Sequence, residues 1–215
     1  MNKGDAVLRI QQGLGFRSDR AAEIILALQE EQRDLESGKT LPKFLLKEDQ
    51  LITVPASTQS VPLPSDFLRR YGNMRRVPAI VGDKRGDIPW VDYDAAQSFY
   101  SAPQFYSNYV SKPKVVSERA ASLWFSPLST QDAIFSWSYY ARAASLSDNT
   151  TNAWLDDGNV PELLIAGAGL RMAADMRNQS AVALFGAMQA AARRALYGEE
   201  FQHEADDYLV MGGNR

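Results

Sequence analysis

Cysteine is absent from the 215 residues. That excludes disulfides, zinc–thiolate sites and a cysteine nucleophile. Histidine occurs once, at His203, so one chain cannot build a zinc site from several imidazoles. No run approaches the ~20 unbroken apolar residues of a membrane-spanning helix. Residues Met1 to Arg9 are mixed polar and charged and lack the apolar centre of a signal peptide. The expected place of synthesis and use is therefore a cytoplasm, or an assembly built in one. A basic excess is missing too. Lys and Arg number 23 against 26 Asp and Glu, a net charge of -3, whereas proteins that grip nucleic acid by its phosphates carry surplus positive charge. A mildly acidic surface suits a protein that lets DNA pass without holding it, and equally suits many proteins with no such task.

What is present is an ordinary globular composition. Hydrophobic residues make up 45% and charged residues 23%, enough apolar material for a core in one large or two small domains. The pattern along the chain changes twice. The first helix is expected over Lys3 to Leu14, where Val7, Ile10 and Leu14 fall at helical spacing and Gly13 and Gly15 supply a stop. A second helix begins at Ser18 or Asp19 as cap and carries an apolar stripe of Ala21, Ile24, Ile25 and Leu28. Glu30, Glu31, Arg33 and Asp34 keep its end wet, and Gly38 closes it.

From Leu41 to about Ala144 proline recurs too often for long helices. Short runs read as strands: Leu51–Val54, Arg75–Val81, Lys114–Val116, Ala121–Phe125 and Ile134–Tyr140. In the last, alternation offers two faces, and the one with Phe135, Trp137 and Tyr139 is the more apolar. A short helix is expected over Tyr93–Tyr100. Asn159 as cap, Pro161 and Glu162 open a third long helix, which reaches about Arg177 with Leu163, Leu164, Gly167, Ala168, Met172 and Met176 facing inward. Gly167, Ala168 and Gly169 are small enough for close approach by a neighbouring backbone. A last helix runs from about Ser180 to Asp206 with Leu184, Phe185, Met188, Ala191, Ala192 and Ala195 as its stripe and a possible kink at Gly198, before a mobile tail from Tyr208.

The fold class read from this order is α+β. Residues 1–40 and 150–207 form a discontinuous helical bundle, residues 41–149 an inserted β-rich domain, and residues 208–215 a C-terminal tail.

No residue pattern supplies a nucleophile with its base. Gly13-Leu14-Gly15 and Gly167-Ala168-Gly169 lack the strand before them and the Gly-Lys-Ser/Thr ending of a phosphate loop. Helix termination and helix packing account for them. Asp156, Asp157 and Glu162 could hold Mg²⁺ or Ca²⁺, but they stand at the mouth of a helix, where the dipole favours acids. His203, Glu204, Asp206 and Asp207 read as a solvated helix end. Any Ser-His-acid triad would need His203, and no serine lies in a Gly-x-Ser-x-Gly elbow. Arg69, Arg70, Arg75 and Arg76 are the one basic cluster. They read as an interface or lumen-lining cluster, or alternatively as a phosphate contact. Phe99, Tyr100, Phe105, Tyr106 and Tyr109 read either as β-domain core or as subunit-interface anchors. Tyr208, Leu209, Val210 and Met211 form a short apolar tag after acidic residues, expected to dock on a neighbour or, alternatively, on its own bundle. No cofactor or metal is expected.

A family resemblance enters on five segments. Leu35–Leu45 (LESGKTLPKFL) resembles the helix-to-β junction of the phage head–tail adaptors found under podovirus and related portals. Val61–Arg69 (VPLPSDFLR) is similar to that family's Leu-Pro-x-Asp-Phe element. Tyr139–Ser147 (YYARAASLS) resembles its strand ending in paired tyrosines, and Thr151–Leu155 with Pro161–Leu164 resembles its entry to the third helix. The segments occur in family order across roughly residues 20 to 200. Two positions differ: Lys43 stands where an aromatic is usual, and Ala141-Arg142-Ala143-Ala144 replaces a proline-rich strand end. The resemblance implies a structural virion protein of the neck, assembled in the host cytoplasm. It implies a ring, usually a dodecamer, that binds the portal above and the tail nozzle or tail fibres below, with DNA passing through its lumen at genome ejection. Such a ring closes by heterologous contacts and requires no catalysis. The competing readings are a virion-associated hydrolase using Asp156, Asp157 or Glu162, and a nucleic-acid-binding module using Arg69–Arg76.

Overall fold

A computed structural model of the protein describes residues 1–77, 86–100, 113–147 and 152–211, with the side chains of 99, 100, 197 and 199–211 outside that description. The fold is mixed α and β with antiparallel sheets. It divides into two compact units: Met1–Leu45 together with Arg142–Arg215, and Leu46–Ala141.

The first unit is helical. Helix α1 (Lys3–Gly13) starts at Asn2, whose side chain accepts from the Asp5 amide at 2.9 Å while Asp5 accepts from the Asn2 amide at 3.1 Å. This reciprocal box satisfies two of the otherwise orphaned donors. Gly15, at φ +80°, turns the chain out of the helix. Helix α2 (Ala21–Ser37) follows a 3₁₀ turn over Ser18–Arg20. Neither Ser18 nor Asp19 caps it. Arg20 holds the cap position without a side-chain bond, and Asp19 is instead gripped by the Arg17 guanidinium at 2.7 and 2.9 Å.

Helix α4 (Pro161–Asp175) is the centre of this unit and contacts α1, α2 and α5 (Gln179–Met211). Leu163 through Gly169 are buried without a break, as expected of a helix enclosed on all sides. Asn159 does not cap it. Val160 occupies that position, and the Asn159 amide donates to the Ala153 carbonyl at 2.8 Å.

The small residues of α4 receive side chains, where a neighbouring backbone was expected. A Cβ on Gly167 would lie 2.2 Å from Glu31 Oε1, and one on Gly169 would lie 2.5 Å from the Phe185 ring. The same ring sits 2.4 Å from where a Cβ on Gly13 would be. Gly13 therefore admits Phe185, and Gly15 rather than Gly13 takes the left-handed turn. On α5 the buried positions are Ala181, Phe185, Ala192 and Leu196, whereas Leu184 is 49% exposed. The helix passes Gly198 unbroken and continues beyond Asp206 through Met211, so the expected tail starts inside it. No Gly or Pro interrupts Tyr208-Leu209-Val210-Met211, and Gly212-Gly213 is the first strong stop.

Of the residues expected to keep the end of α2 wet, Glu30, Arg33 and Asp34 are exposed and Glu31 is not. Glu31, Gln32 and Glu36 are buried, at 5, 9 and 4% exposure. Glu36 Oε1 accepts from Gln32 Nε2 (2.9 Å), the Ala143 amide (3.1 Å) and Trp154 Nε1 (3.3 Å). Asn152 Nδ2 donates to Gln32 Oε1 at 3.0 Å and to the Ala144 carbonyl, and Asn152 Oδ1 accepts from the Trp154 amide at 2.8 Å. Glu31 accepts from Arg171 Nε at 2.7 Å and from Gln189 Nε2 at 3.5 Å, and Asp34 takes a second Arg171 bond. The two carboxylates join α2 to segments more than a hundred residues later.

The second unit holds seven strands among the described residues: β1 (Leu46–Val54), β2 (Ser60–Pro62), β3 (Phe67–Val77), β4 (Asp87–Ile88), β5 (Val115–Arg119), β6 (Ser122–Ser126) and β7 (Ala133–Ala141). They form two antiparallel sheets, ordered β1-β7-β3-β4 and β2-β6-β5. Alternation along β7 buries Phe135, Trp137 and Tyr139, the more apolar of its two faces. These pack with Met74, Ile88, Val116, Leu123 and Phe125 into one core, where the Phe125 and Phe135 rings stack at 5.2 Å. β1 and β3 are longer than the runs that announced them: β1 opens with the polar, exposed stretch Lys47–Gln50, and β3 opens with half-buried Phe67-Leu68-Arg69 followed by exposed Arg70–Asn73. Residues 78–81 of the expected strand Arg75–Val81, and Phe105, Tyr106 and Tyr109, lie outside the described residues. A short helix over Tyr93–Ala95 (α3), continued by a π turn to Tyr100, matches the helix expected there.

Two substitutions test this packing. Gly167→Leu should cost at least about 1–3 kcal/mol, the usual range for overpacking, and lower the melting temperature; an unchanged value would show that Glu31 does not lie over Gly167. Glu36→Leu takes the acceptor from the Ala143 amide and the Trp154 indole, each worth about 1–3 kcal/mol when buried, while Gln32 Nε2 keeps the Ala143 carbonyl at 3.5 Å. A loss below about 1 kcal/mol in urea unfolding would show that the Glu36 network is not formed.

Candidate functional site

β3 carries all four arginines of the basic cluster, and its register separates them. Arg69 lies opposite Tyr140, Tyr71 opposite Ser138 and Arg75 opposite Ser136, whereas Arg70 pairs with Tyr139 and Arg76 with Phe135. Directly opposed residues share a face. Arg69, Tyr71 and Arg75 therefore stand on the outer face with Ser136, Ser138 and Tyr140, while Arg70 and Arg76 stand on the core side. The register divides the cluster, although Arg69 and Arg70 both border a cleft beside Trp90.

On the core side, Arg76 Nη2 donates to the Pro113 carbonyl at 2.7 Å. The Arg70 guanidinium sits over the Trp90 ring at 4.9 Å, and Arg119 over Tyr93 at 4.1 Å. Trp90 is fixed in turn by its Nε1, which donates to the Gly72 carbonyl at 3.1 Å. Arg70, Trp90, Tyr93 and Arg119 line an open cleft of about 620 Å³ with Phe67, Arg69, Asp92 and Glu118. Cation–π pairing of this kind holds guanidinium groups against rings and leaves their edges available for anions.

The outer face is unusual for another reason. Leu51 is 69% exposed, Tyr71 49% and Ile134 38%. Leu51 pairs with Ser136, Ile134 lies between Thr53 and Val77, and Tyr71 meets Tyr140 edge to face at 5.6 Å. Three large apolar groups thus share one sheet face, separated by Ser136 and Ser138, which are tied to Asp49: the Ser136 hydroxyl donates to Asp49 Oδ1 and the Ser138 hydroxyl accepts from the Asp49 backbone amide, both at 3.2 Å. Contiguous exposed apolar surface marks interaction sites more often than scattered residues do. Sequence reading missed this face because β7 was assigned by its buried alternation and β1 by its last four residues only.

The acidic candidates do not converge. Asp156 Oδ1 accepts from the Gly158 amide at 3.1 Å, Asp157 pairs with the N-terminal ammonium at 3.6 Å, and Glu162 with Arg9 at 3.6 Å. Among the described residues, no three His, Asp or Glu side chains are grouped to hold a metal ion, and no helix is long and apolar enough to cross a membrane. The side chains of His203, Glu204, Asp206, Asp207 and Tyr208–Met211 lie outside the described residues.

At the first end of β3 the strands are tied by charge. Asp66 accepts from Lys47 Nζ at 2.5 Å and from the Tyr139 hydroxyl at 3.1 Å. Burial works against the Asp66 carboxylate, but these two donors outweigh it and hold its pKa below the ordinary value. Burial, then the Asp66 hydrogen bond and charge, push Tyr139 up to about 12.

Comparison with protein-family models matches residues 1–214 to the family described as SU10 adaptor protein. The chain belongs to the SU10 adaptor protein family. It is thereby a phage adaptor, a structural virion component whose family works between portal and tail. Comparison with curated proteins returned no significant match. In this SU10 adaptor the exposed sheet face and the arginine-lined cleft are the candidate functional surfaces.

The Lys47–Asp66–Tyr139 arrangement gives a pH dependence of definite sign. Asp66 has a depressed folded pKa, so its contribution is present above the ordinary carboxylate value near ~4 and is lost as pH falls through the folded value. Tyr139 has a raised folded pKa, so its contribution is present below ~10 and is lost as pH rises toward 12. The urea midpoint, followed by tryptophan fluorescence, should fall at both ends of the range. Tyr139→Phe should remove the part of the alkaline loss that Tyr139 supplies; an identical alkaline slope in that variant would refute its role.

Proposed function

We infer that the protein is a head-to-tail adaptor that assembles side to side into a ring, a dodecamer, on the portal. Tail nozzle or tail fibre proteins bind its other end, and DNA crosses its lumen without sequence-specific contact at genome ejection. The observation that carries this reading is the family match over nearly the whole chain.

The physical picture supports it. A discontinuous bundle made from both chain ends, with a β-rich domain inserted between its second and third helices, offers two different surfaces on one subunit, as a heterologous ring contact requires. Arg70 over the Trp90 ring, Arg75 beside Asp87 and Arg76 on the Pro113 carbonyl each serve a local partner, which favours a structural role over a continuous track for phosphates. Asp156, Asp157 and Glu162 each serve a local partner, which favours a structural role over a hydrolase. The protein is assembled in the host cytoplasm and works in the virion neck.

Tyr208, Leu209, Val210 and Met211 extend this reading. They dock on the portal or on the adjacent subunit, following an acidic stretch that keeps the free form soluble. A chain truncated after Asp207, mixed with purified portal, measures this directly. The full chain should co-sediment with the portal, and the truncated chain should fold with the same circular dichroism but bind at least ten-fold more weakly. Undiminished binding with complete rings would remove the tail from the account; failure of the full chain to bind would remove the adaptor reading itself.

A further inference from the structure

The cleft of the β-rich unit holds two guanidinium groups that face aromatic rings and no acid. Arg70 lies over the Trp90 indole at 4.9 Å and Arg119 over the Tyr93 phenol at 4.1 Å. Both arginines are exposed. Among the described residues neither has a carboxylate partner, although Asp92 and Glu118 line the same cleft. Asp92 is engaged elsewhere: it caps α3, and its side chain accepts from the Asp94 amide at 2.9 Å. A guanidinium laid on a ring keeps its in-plane N–H groups free, in the fork that suits a carboxylate. The two rings orient the forks beforehand, so less side-chain freedom is lost when an acid arrives.

The helical unit ends in the complementary charge. Helix α4 has 15 residues and α5 has 33, so α5 is the longer by about 27 Å at the usual rise per residue. Between Arg194 and Arg215 the chain carries Glu199, Glu200, Glu204, Asp206 and Asp207 and no Lys or Arg. These acids stand at the wrong end of their helix. The C-terminal dipole favours cations, and no basic residue occupies the last turn. Glu200 and Glu204, at i and i+4, add like-charge repulsion. A cationic partner relieves both penalties. Glu200, Glu204 and Asp207 follow the i, i+4, i+7 spacing of a single helical stripe.

We propose that the cleft of one copy receives the acidic end of α5 from an adjacent copy. The forks of Arg70 and Arg119 take carboxylates of the Glu200, Glu204, Asp207 stripe and neutralise the helix terminus that carries them. A nucleic-acid backbone is the poorer occupant, because Asp92 and Glu118 repel a continuous polyanion, whereas a helix presents its carboxylates singly. The contact is heterologous, joining unlike surfaces, and repeats around a ring. This inference rests on the ring reading above and assigns the acidic stretch to the neighbouring subunit.

The test uses the full chain, alone and with purified portal, and follows association by mass photometry. Arg70→Glu with Arg119→Glu, and separately Glu204→Arg with Asp207→Arg, should each weaken association about ten-fold with unchanged circular dichroism. Chains carrying all four substitutions should recover most of it. Normal association in both charge-reversed pairs would overturn the proposal. Cross-linking is a second measurement, because the chain contains no cysteine and Ala120 lines the cleft in an exposed position. Chains with Ala120→Cys mixed with chains with Ala205→Cys should form a mixed disulfide dimer under oxidation, and the arginine substitutions should abolish it. This dimer needs no complete ring, so it decides the contact even where the unaltered chain forms no ring and the ring reading falls. An intrachain disulfide in a chain carrying both cysteines would mean that α5 reaches its own cleft and would overturn the proposal. So would a mixed dimer that the arginine substitutions leave intact. Arginine variants that associate normally but no longer retain a double-stranded DNA oligonucleotide would make the cleft a phosphate site instead.

Discussion

Two carboxylates buried on α2 govern the helical unit. Glu31 and Glu36 lie near the end of a helix early in the chain, and apart from Gln32 on that same helix their hydrogen-bond partners come from residues 143–189. A carboxylate taken out of water is costly unless its oxygens are fully served. Here the serving groups are an amide, an indole, two carboxamides and a guanidinium, each supplied by a different place in the fold. Both carboxylates are therefore fully served only when α2, α4, α5 and the segment 142–154 are packed together. It also explains residues that look unrelated in sequence. Gly167 exists in its present form because the Glu31 side chain crosses it, and Asn152 because it closes the bonds among Gln32, Ala144 and Trp154. The two chain ends are joined by polar specificity, with the α4 apolar core supplying the bulk of the burial.

The sequence was legible where one local rule decided the outcome. Alternation in β7 announced Phe135, Trp137 and Tyr139 as the buried face, and the inward positions of α4 followed from helical spacing and small residues. It was misleading where a long-range partner overrode the local rule. Glu31 and Glu36 look like solvent-facing residues of an amphipathic helix, and nothing within a few positions signals Arg171 or Trp154. Ser18 and Asp19 have cap chemistry, yet Arg17 claims Asp19 first and holds its carboxyl at about 2. Asn159 likewise has cap chemistry and turns back to Ala153. The beginning of β1 was invisible because Lys47–Gln50 are polar and exposed, and that of β3 because Arg69 to Asn73 interrupt the apolar pattern between Phe67-Leu68 and Met74.

The candidate surfaces were legible only in part. The arginines of β3 stood out as a cluster in the sequence, but only the strand register separates Arg69 and Arg75 from Arg70 and Arg76. The apolar outer face depends on residues from three strands, Leu51, Tyr71 and Ile134, that share no sequence neighbourhood. Large apolar groups exposed together on one face mark interaction surfaces more often than scattered ones do, and a net charge of -3 supplies no excess of positive charge for DNA phosphates.

The central claim is that this SU10 adaptor is a ring component seated on a portal. Electron microscopy of the purified chain mixed with its portal tests it most directly. The account predicts an added ring, coaxial with the portal, with one chain beside the next around an open central channel. Portals without added density, or chains bound singly and off the axis, would contradict it.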